Sequence, residues 1–139
     1  MKDGFIADAS VGISWIVESQ STVATDRLLS DVASGSRFVV PALWMFEIAN
    51  TLLVLARRKL LAPEECARAR REIGDLGAVI DEDGQRFALG KIYDLAAEHA
   101  LSVYDAAYLE LALRSKLPLA SRDSALNKAA KRCGLKVLP

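Results

Sequence analysis

Leu101-Ser102-Val103-Tyr104-Asp105-Ala106-Ala107-Tyr108-Leu109-Glu110-Leu111-Ala112-Leu113-Arg114-Ser115-Lys116 is the stretch around which the chain is organised. Leu101, Tyr104, Tyr108 and Leu111 recur at helical spacing, and Ala106, Ala107 and Ala112 fill the surface between them. Small residues let such a helix lie close against a sheet. One acid, Asp105, stands in the first turn of this otherwise apolar helix. The unpaired N–H groups and the dipole of a helix N-terminus favour a carboxylate there, so Asp105 alone is an ordinary feature. Three further acids give it a different meaning.

Outward from this helix, short apolar runs alternate with amphipathic stretches. Phe5-Ile6-Ala7 reads as a buried strand opening into a turn at Asp8, and a helix follows through Val17 with Trp15 and Ile16 on its apolar side. A second helix spans Thr22 to Ala33, with Val23, Leu28, Leu29 and Val32 inward, and Gly35 stops it. Arg37-Phe38-Val39-Val40 is a strand closed by Pro41. Leu43 to Lys59 is a long helix with Trp44, Ile48, Leu52 and Leu55 in register, and Pro63 opens a charged helix running to about Leu76. Gly77 to Asp81 forms a short strand. Phe87 to Ala100 reads as one helix with Leu89, Ile92, Leu95 and Ala96 inward. After the Asp105 helix come a strand at Leu117–Ala120, a helix at Ala125–Cys133 and a strand at Leu135–Leu138. Strands without period-2 alternation are covered on both faces, which predicts a three-layer α/β/α fold around a short parallel sheet. No repeat, linker or low-complexity segment divides the 139 residues, so residues 1–139 are expected to form one domain.

Composition narrows the function. Lys plus Arg and Asp plus Glu both number 18, which argues against holding a polyanion by bulk charge but permits a local basic patch. No apolar run approaches the roughly 18 residues of a membrane span. Cys66 and Cys133 match no zinc or redox spacing. Together with the lack of a signal-peptide pattern, this predicts a cytoplasmic protein.

In open parallel sheets, ligands bind at the carboxyl ends of the strands. Asp8 follows the first strand, Glu47 lies early in the helix after the second, Asp105 opens the helix leading to the fourth, and Asp123 lies just past that fourth strand. Four carboxylates at one edge repel one another unless protons or cations offset them. Mg²⁺ or Mn²⁺ is the natural partner of an all-oxygen set, and such ions activate water for phosphodiester displacement.

Ile6-Ala7-Asp8-Ala9-Ser10, Pro41-Ala42-Leu43-Trp44-Met45-Phe46-Glu47-Ile48-Ala49-Asn50, Ser102-Val103-Tyr104-Asp105-Ala106-Ala107-Tyr108-Leu109 and Leu119-Ala120-Ser121-Arg122-Asp123 occur in the order and spacing of a known family. The chain resembles the PIN-domain ribonucleases, specifically the VapC-type toxins of bacterial toxin–antitoxin pairs, over essentially its whole length. The resemblance implies catalytic, metal-binding acids at Asp8, Glu47, Asp105 and Asp123, with a small hydroxyl at Ser10. It also implies an RNA substrate, Mg²⁺ or Mn²⁺ as cofactor, a small antitoxin protein as partner, and a homodimer. Ser121 stands where the family often has threonine, and Ala100 where it often has glycine in a turn.

Simpler readings stand beside these. Asp8 and Asp123 could cap helices. Ser10 and Ser121 could satisfy local backbone groups or touch substrate, and Arg122 is the basic residue best placed for an RNA backbone. Asp81 and Asp83 read as a solvated turn, and Trp15, Trp44 and Phe46 as core or partner-groove residues. His99, the single histidine, lacks a Ser or Cys partner for a nucleophilic triad. The rival functions are a phosphoacceptor regulatory domain with Asp81 as acceptor, and an inactive RNA- or protein-binding module. The first strand ends in Asp8-Ala9-Ser10 without the second acid that a phosphoacceptor pocket needs, and no glycine-rich turn supports a dinucleotide site.

Overall fold

The computed structural model describes residues 4–138. Five parallel strands, β1 (Gly4–Ala7), β2 (Arg37–Pro41), β3 (Val79–Asp81), β4 (Leu119–Ala120) and β5 (Val137–Leu138), form one sheet in the order β3-β2-β1-β4-β5. The seven α-helices among the described residues are α1 (Ala9–Ile16), α2 (Val23–Ala33), α3 (Leu43–Arg57), α4 (Pro63–Asp75), α5 (Tyr93–His99), α6 (Val103–Ser115) and α7 (Ser124–Arg132). The expected three-layer α/β/α architecture is observed.

The strand order explains the layering. From β1 the chain moves to β2 and then β3 on one side, and then returns across to β4 and β5 on the other. Right-handed crossovers taken in opposite directions put their helices on opposite faces. Accordingly, α1 packs on α2, α3 and α4, while α6 packs on α5 and α7. The direction reverses between β1 and β4, which pair in register Ile6 to Leu119 and Ala7 to Ala120. That junction is the topological switch point, where open α/β sheets hold ligands.

The core is continuous around the sheet. Ile6, Ala7, Val40, Leu119 and Ala120 are fully buried from the strands, with Trp44, Ala106, Leu109 and Ala112 from the helices. Phe5, Trp15, Phe38 and Trp44 form an aromatic cluster with centroids 5.1–6.4 Å apart. Gly12 is required where α1 crosses α3: a Cβ there would meet Ile48 Cδ1 at 2.5 Å and Trp44 Cζ2 at 2.7 Å. Every residue of α6 from Ala106 to Ala112 is buried, because this helix lies on the sheet and is flanked by α5 and α7.

Three expectations are corrected. The helix predicted from Phe87 to Ala100 is instead a 3₁₀ turn at Gly84–Phe87, a π-helical turn at Ala88–Ile92 and then α5. Leu89 lies within the wide turn, out of phase with the inward face of α5, and is 95% exposed, while Ile92, Leu95 and Ala96 remain inward. Val23, read as inward, is exposed because the buried face of α2 is set by Thr25 and Leu28, from which Val23 is turned away around the helix; Tyr104, in the first turn of α6, is exposed as well. The core-or-groove reading divides without being overturned: Trp15 and Trp44 are core residues and Phe46 is exposed. Asp81 does not sit in a solvated turn: it ends β3 and accepts two hydrogen bonds from Arg114 of α6, at 3.0 and 2.7 Å. Arg114 also binds Glu110, a buried acid of α6, at 2.8 Å, and lies 4.8 Å from the Phe87 ring centre.

Ala100 adopts a left-handed conformation (φ 55°) that closes α5. This is a backbone geometry that glycine takes without strain.

Candidate active site

Asp8 leaves β1 at the switch point and caps α1, accepting from Val11 N at 3.2 Å. Its backbone N–H donates to Ala120 O at 3.1 Å, and its carbonyl accepts from Trp44 Nε1 at 3.1 Å, so β4 and α3 both hold it in place. Asp8 as a whole is 5% exposed. Ser10 Oγ donates to one carboxylate oxygen at 2.6 Å, and Ser121 Oγ donates to the other in a short hydrogen bond. Each serine in turn accepts a backbone N–H from the turn after β4: Arg122 N to Ser10 at 3.0 Å, and Asp123 N to Ser121 at 2.9 Å. The two hydroxyls therefore join the ends of β1 and β4 through Asp8.

The other acids arrive from neighbouring elements. Asp123 caps α7, accepting from Leu126 N at 3.0 Å. Ser102 caps α6 by accepting from Asp105 N at 3.0 Å, and its hydroxyl also acts on the Asp105 carboxylate in the first turn. Glu47 lies half-buried one turn into α3, and Tyr108 Oη of α6 donates to its Oε1 at 2.5 Å. The capping readings of Asp8 and Asp123 therefore hold together with membership of the cluster.

Asp123 acts on Asp8 and Asp105, and Asp105 and Asp8 act on Glu47, so the four acids share one electrostatic environment. Burial raises the Asp8 carboxyl above its ordinary range and Asp123 adds to this, against the lowering effect of Ser10, Ser121 and Val11 N. Burial also raises Asp105, reinforced by Asp123 and Asp8. Glu47 is raised by burial, then by Asp105 and Asp8, while the Tyr108 hydrogen bond opposes the shift. Among the described residues, no lysine or arginine forms an ion pair with any of the four. Nor do three carboxylate, imidazole or thiol groups stand close enough to enclose a metal ion by themselves.

These shifts set the pH dependence of the metal-free fold. A carboxyl whose folded value is raised binds protons more tightly folded than unfolded, so stability falls as pH rises from the ordinary value through the folded one. Asp81 is lowered, first by its hydrogen bonds to Arg114, and contributes stability that is lost as pH falls below its ordinary 3.8. In EDTA, the melting temperature is expected to rise as pH is lowered from about 7.5 to about 5, and to fall again below about 4. A melting temperature that only falls on acidification would show that burial and mutual repulsion do not raise these carboxyls.

Arg122 lies on the rim of this site. Its guanidinium donates to Gln20 O at 2.7 Å, and it lines a cavity of about 470 Å³ with Ser10, Gln20 and Thr51. His99 is remote from the acids, its ring packed between Cys133 and Arg132. Two features escaped sequence reasoning. Tyr108 follows Asp105 by one helical turn but reads as an ordinary core position. The Glu110–Arg114 half of the buried network shows as an i,i+4 pair, yet nothing local signals Asp81.

The arrangement has known relatives. A family model described as PIN domain matches residues 5–132. The chain belongs to the PIN-domain family. This PIN domain is 28% identical over 107 residues to Ribonuclease VapC3 from Pyrobaculum aerophilum, an alignment covering 77% of this chain and 79% of that protein. Its fold matches the crystal structure of PAE2754 from Pyrobaculum aerophilum with a TM-score of 0.70, over 97% of this chain and 83% of that one. At 20% identity the second likeness is one of fold.

Proposed function

We propose that this PIN domain is a Mg²⁺- or Mn²⁺-dependent endoribonuclease, the toxin of a toxin–antitoxin pair that inhibits translation or growth. The observation that carries the reading is the meeting of Asp8, Glu47, Asp105 and Asp123 at the switch point, electrostatically coupled and without a paired base. The similarity to Ribonuclease VapC3 supports RNA as the substrate.

The donor set fits a hard divalent ion. Mg²⁺ keeps several waters and takes one or two carboxylates together with substrate phosphates, so it does not need a three-residue cage. When bound, such an ion supplies an activated water and stabilises the charge of phosphodiester displacement. The chain's own residues do the rest. Ser10 and Ser121 favour the ionised form of Asp8 and fix it by donating to both of its oxygens. Asp105 and Asp123 add negative charge from helix N-termini. Arg122 and the cavity beside Ser10 offer a cation and polar lining to an RNA backbone leaving the acids.

Partners follow from exposed apolar surface. A cavity of about 430 Å³, lined by Leu43, Ile80, Ala88, Ile92 and Tyr104, is the proposed homodimer face. Phe46 and Leu89 are exposed on elements that line it. The antitoxin is proposed to use the groove between α3 and α4, lined by Leu52, Leu53, Ala56 and Leu61. No helix among the described residues is long and apolar enough to cross a membrane, and action on RNA fits a cytoplasmic setting. The phosphoacceptor alternative is disfavoured because Arg114 occupies both oxygens of Asp81.

The test is incubation of RNA with the purified protein in Mn²⁺ or Mg²⁺ and in EDTA. Internal cleavage with metal and none in EDTA is expected. Binding without cleavage in either condition would favour the inactive module instead.

A further inference from the structure

Tyr108 is the one aromatic hydroxyl that reaches the acids. It lies on α6 three residues after Asp105, is 1% exposed, and bridges to α3 through Glu47 Oε1 at 2.5 Å. Glu47 has the longest side chain of the four acids and sits half-buried, so solvent is open to it. Asp105 and Asp8 both repel it. In a metal-free site, that repulsion drives a flexible carboxylate outward. Ser10 and Ser121 hold Asp8 against the same force, and Glu47 has only the phenol.

We propose that Tyr108 is a positioning residue: its buried hydroxyl anchors one oxygen of Glu47 and holds the carboxylate in the cluster, leaving the second oxygen for a divalent cation. One anchored and one open oxygen is the arrangement in which an outer partner orients a metal ligand. The proposal rests on the metal-dependent reading of the site.

The test is calorimetric titration of wild type and Tyr108→Phe with Mn²⁺ alone, together with their metal-free melting curves. Phenylalanine keeps the ring that packs beneath the site and removes only the donor. Tyr108→Phe is expected to bind Mn²⁺ about 10–100-fold more weakly, as outer partners of metal ligands typically do when removed, with an unchanged metal-free melting temperature. RNA cleavage should show the loss in kcat with KM for RNA unchanged. Wild-type affinity in Tyr108→Phe overturns the proposal, as does a loss of affinity that appears only with a large drop in metal-free melting. If wild type itself binds no Mn²⁺, the metal-dependent reading fails, a result distinct from equal binding by both proteins.

Discussion

Asp105→Asn is expected to abolish RNA cleavage while leaving the fold intact. Asparagine is nearly isosteric, and among the described residues the Asp105 carboxylate makes no ion pair that the fold would lose; the Ser102 cap accepts from the Asp105 backbone N–H, which the substitution leaves in place. The substitution removes one of the acids that face Asp8 and Asp123 across the end of the sheet. The rate should fall by more than about a hundredfold, the upper end for groups that merely orient a metal ligand. Growth inhibition by the expressed protein should disappear with it. Purified Asp105→Asn with wild-type cleavage in Mn²⁺ would remove Asp105 from the machinery.

The second large effect concerns the fold. Arg114→Met is expected to destabilise the protein by about 3–5 kcal/mol, the cost of leaving a buried charge unpaired. Arg114 binds both oxygens of Asp81 and both of Glu110, whose side chains are 10% and 4% exposed. Methionine replaces the stem but satisfies neither acid. Urea denaturation at neutral pH measures the difference. A loss below about 1 kcal/mol, the level of solvent-exposed pairs, would show that water screens this network.

Much of the fold could be read before any coordinates. Short β-branched and apolar runs at Phe5–Ala7 and Phe38–Val40 mark buried parallel strands, and Gly35 and Gly134 mark helix ends. Asp8 and Asp123 were legible because they follow strands at the edge where parallel sheets hold ligands. What remained hidden depends on contacts distant in sequence. Tyr108 has the same periodicity as Leu111, and its hydroxyl gains meaning only when α6 lies beside α3. Asp81 looks like turn chemistry next to Glu82 and Asp83 until Arg114 reaches it from α6. The π turn at Ala88–Ile92 breaks the apolar phase that made Leu89 look inward, and no local rule announces it. Ser10 and Ser121 were visible as hydroxyls near acids. Their convergence on the two oxygens of Asp8 requires the β1–β4 pairing.

The shared acidic site is tested most directly by melting wild type and Asp105→Asn with and without Mn²⁺. A cation that binds the folded site and not the unfolded chain adds about 2.7 kcal/mol at 100 times its dissociation constant. For a domain of this size, the wild type should therefore melt several degrees higher with Mn²⁺. Asp105→Asn should show a smaller shift, and an equal or higher melting temperature in EDTA, because one repelling charge is gone. Equal Mn²⁺ shifts in the two proteins would place the cation elsewhere and contradict the account.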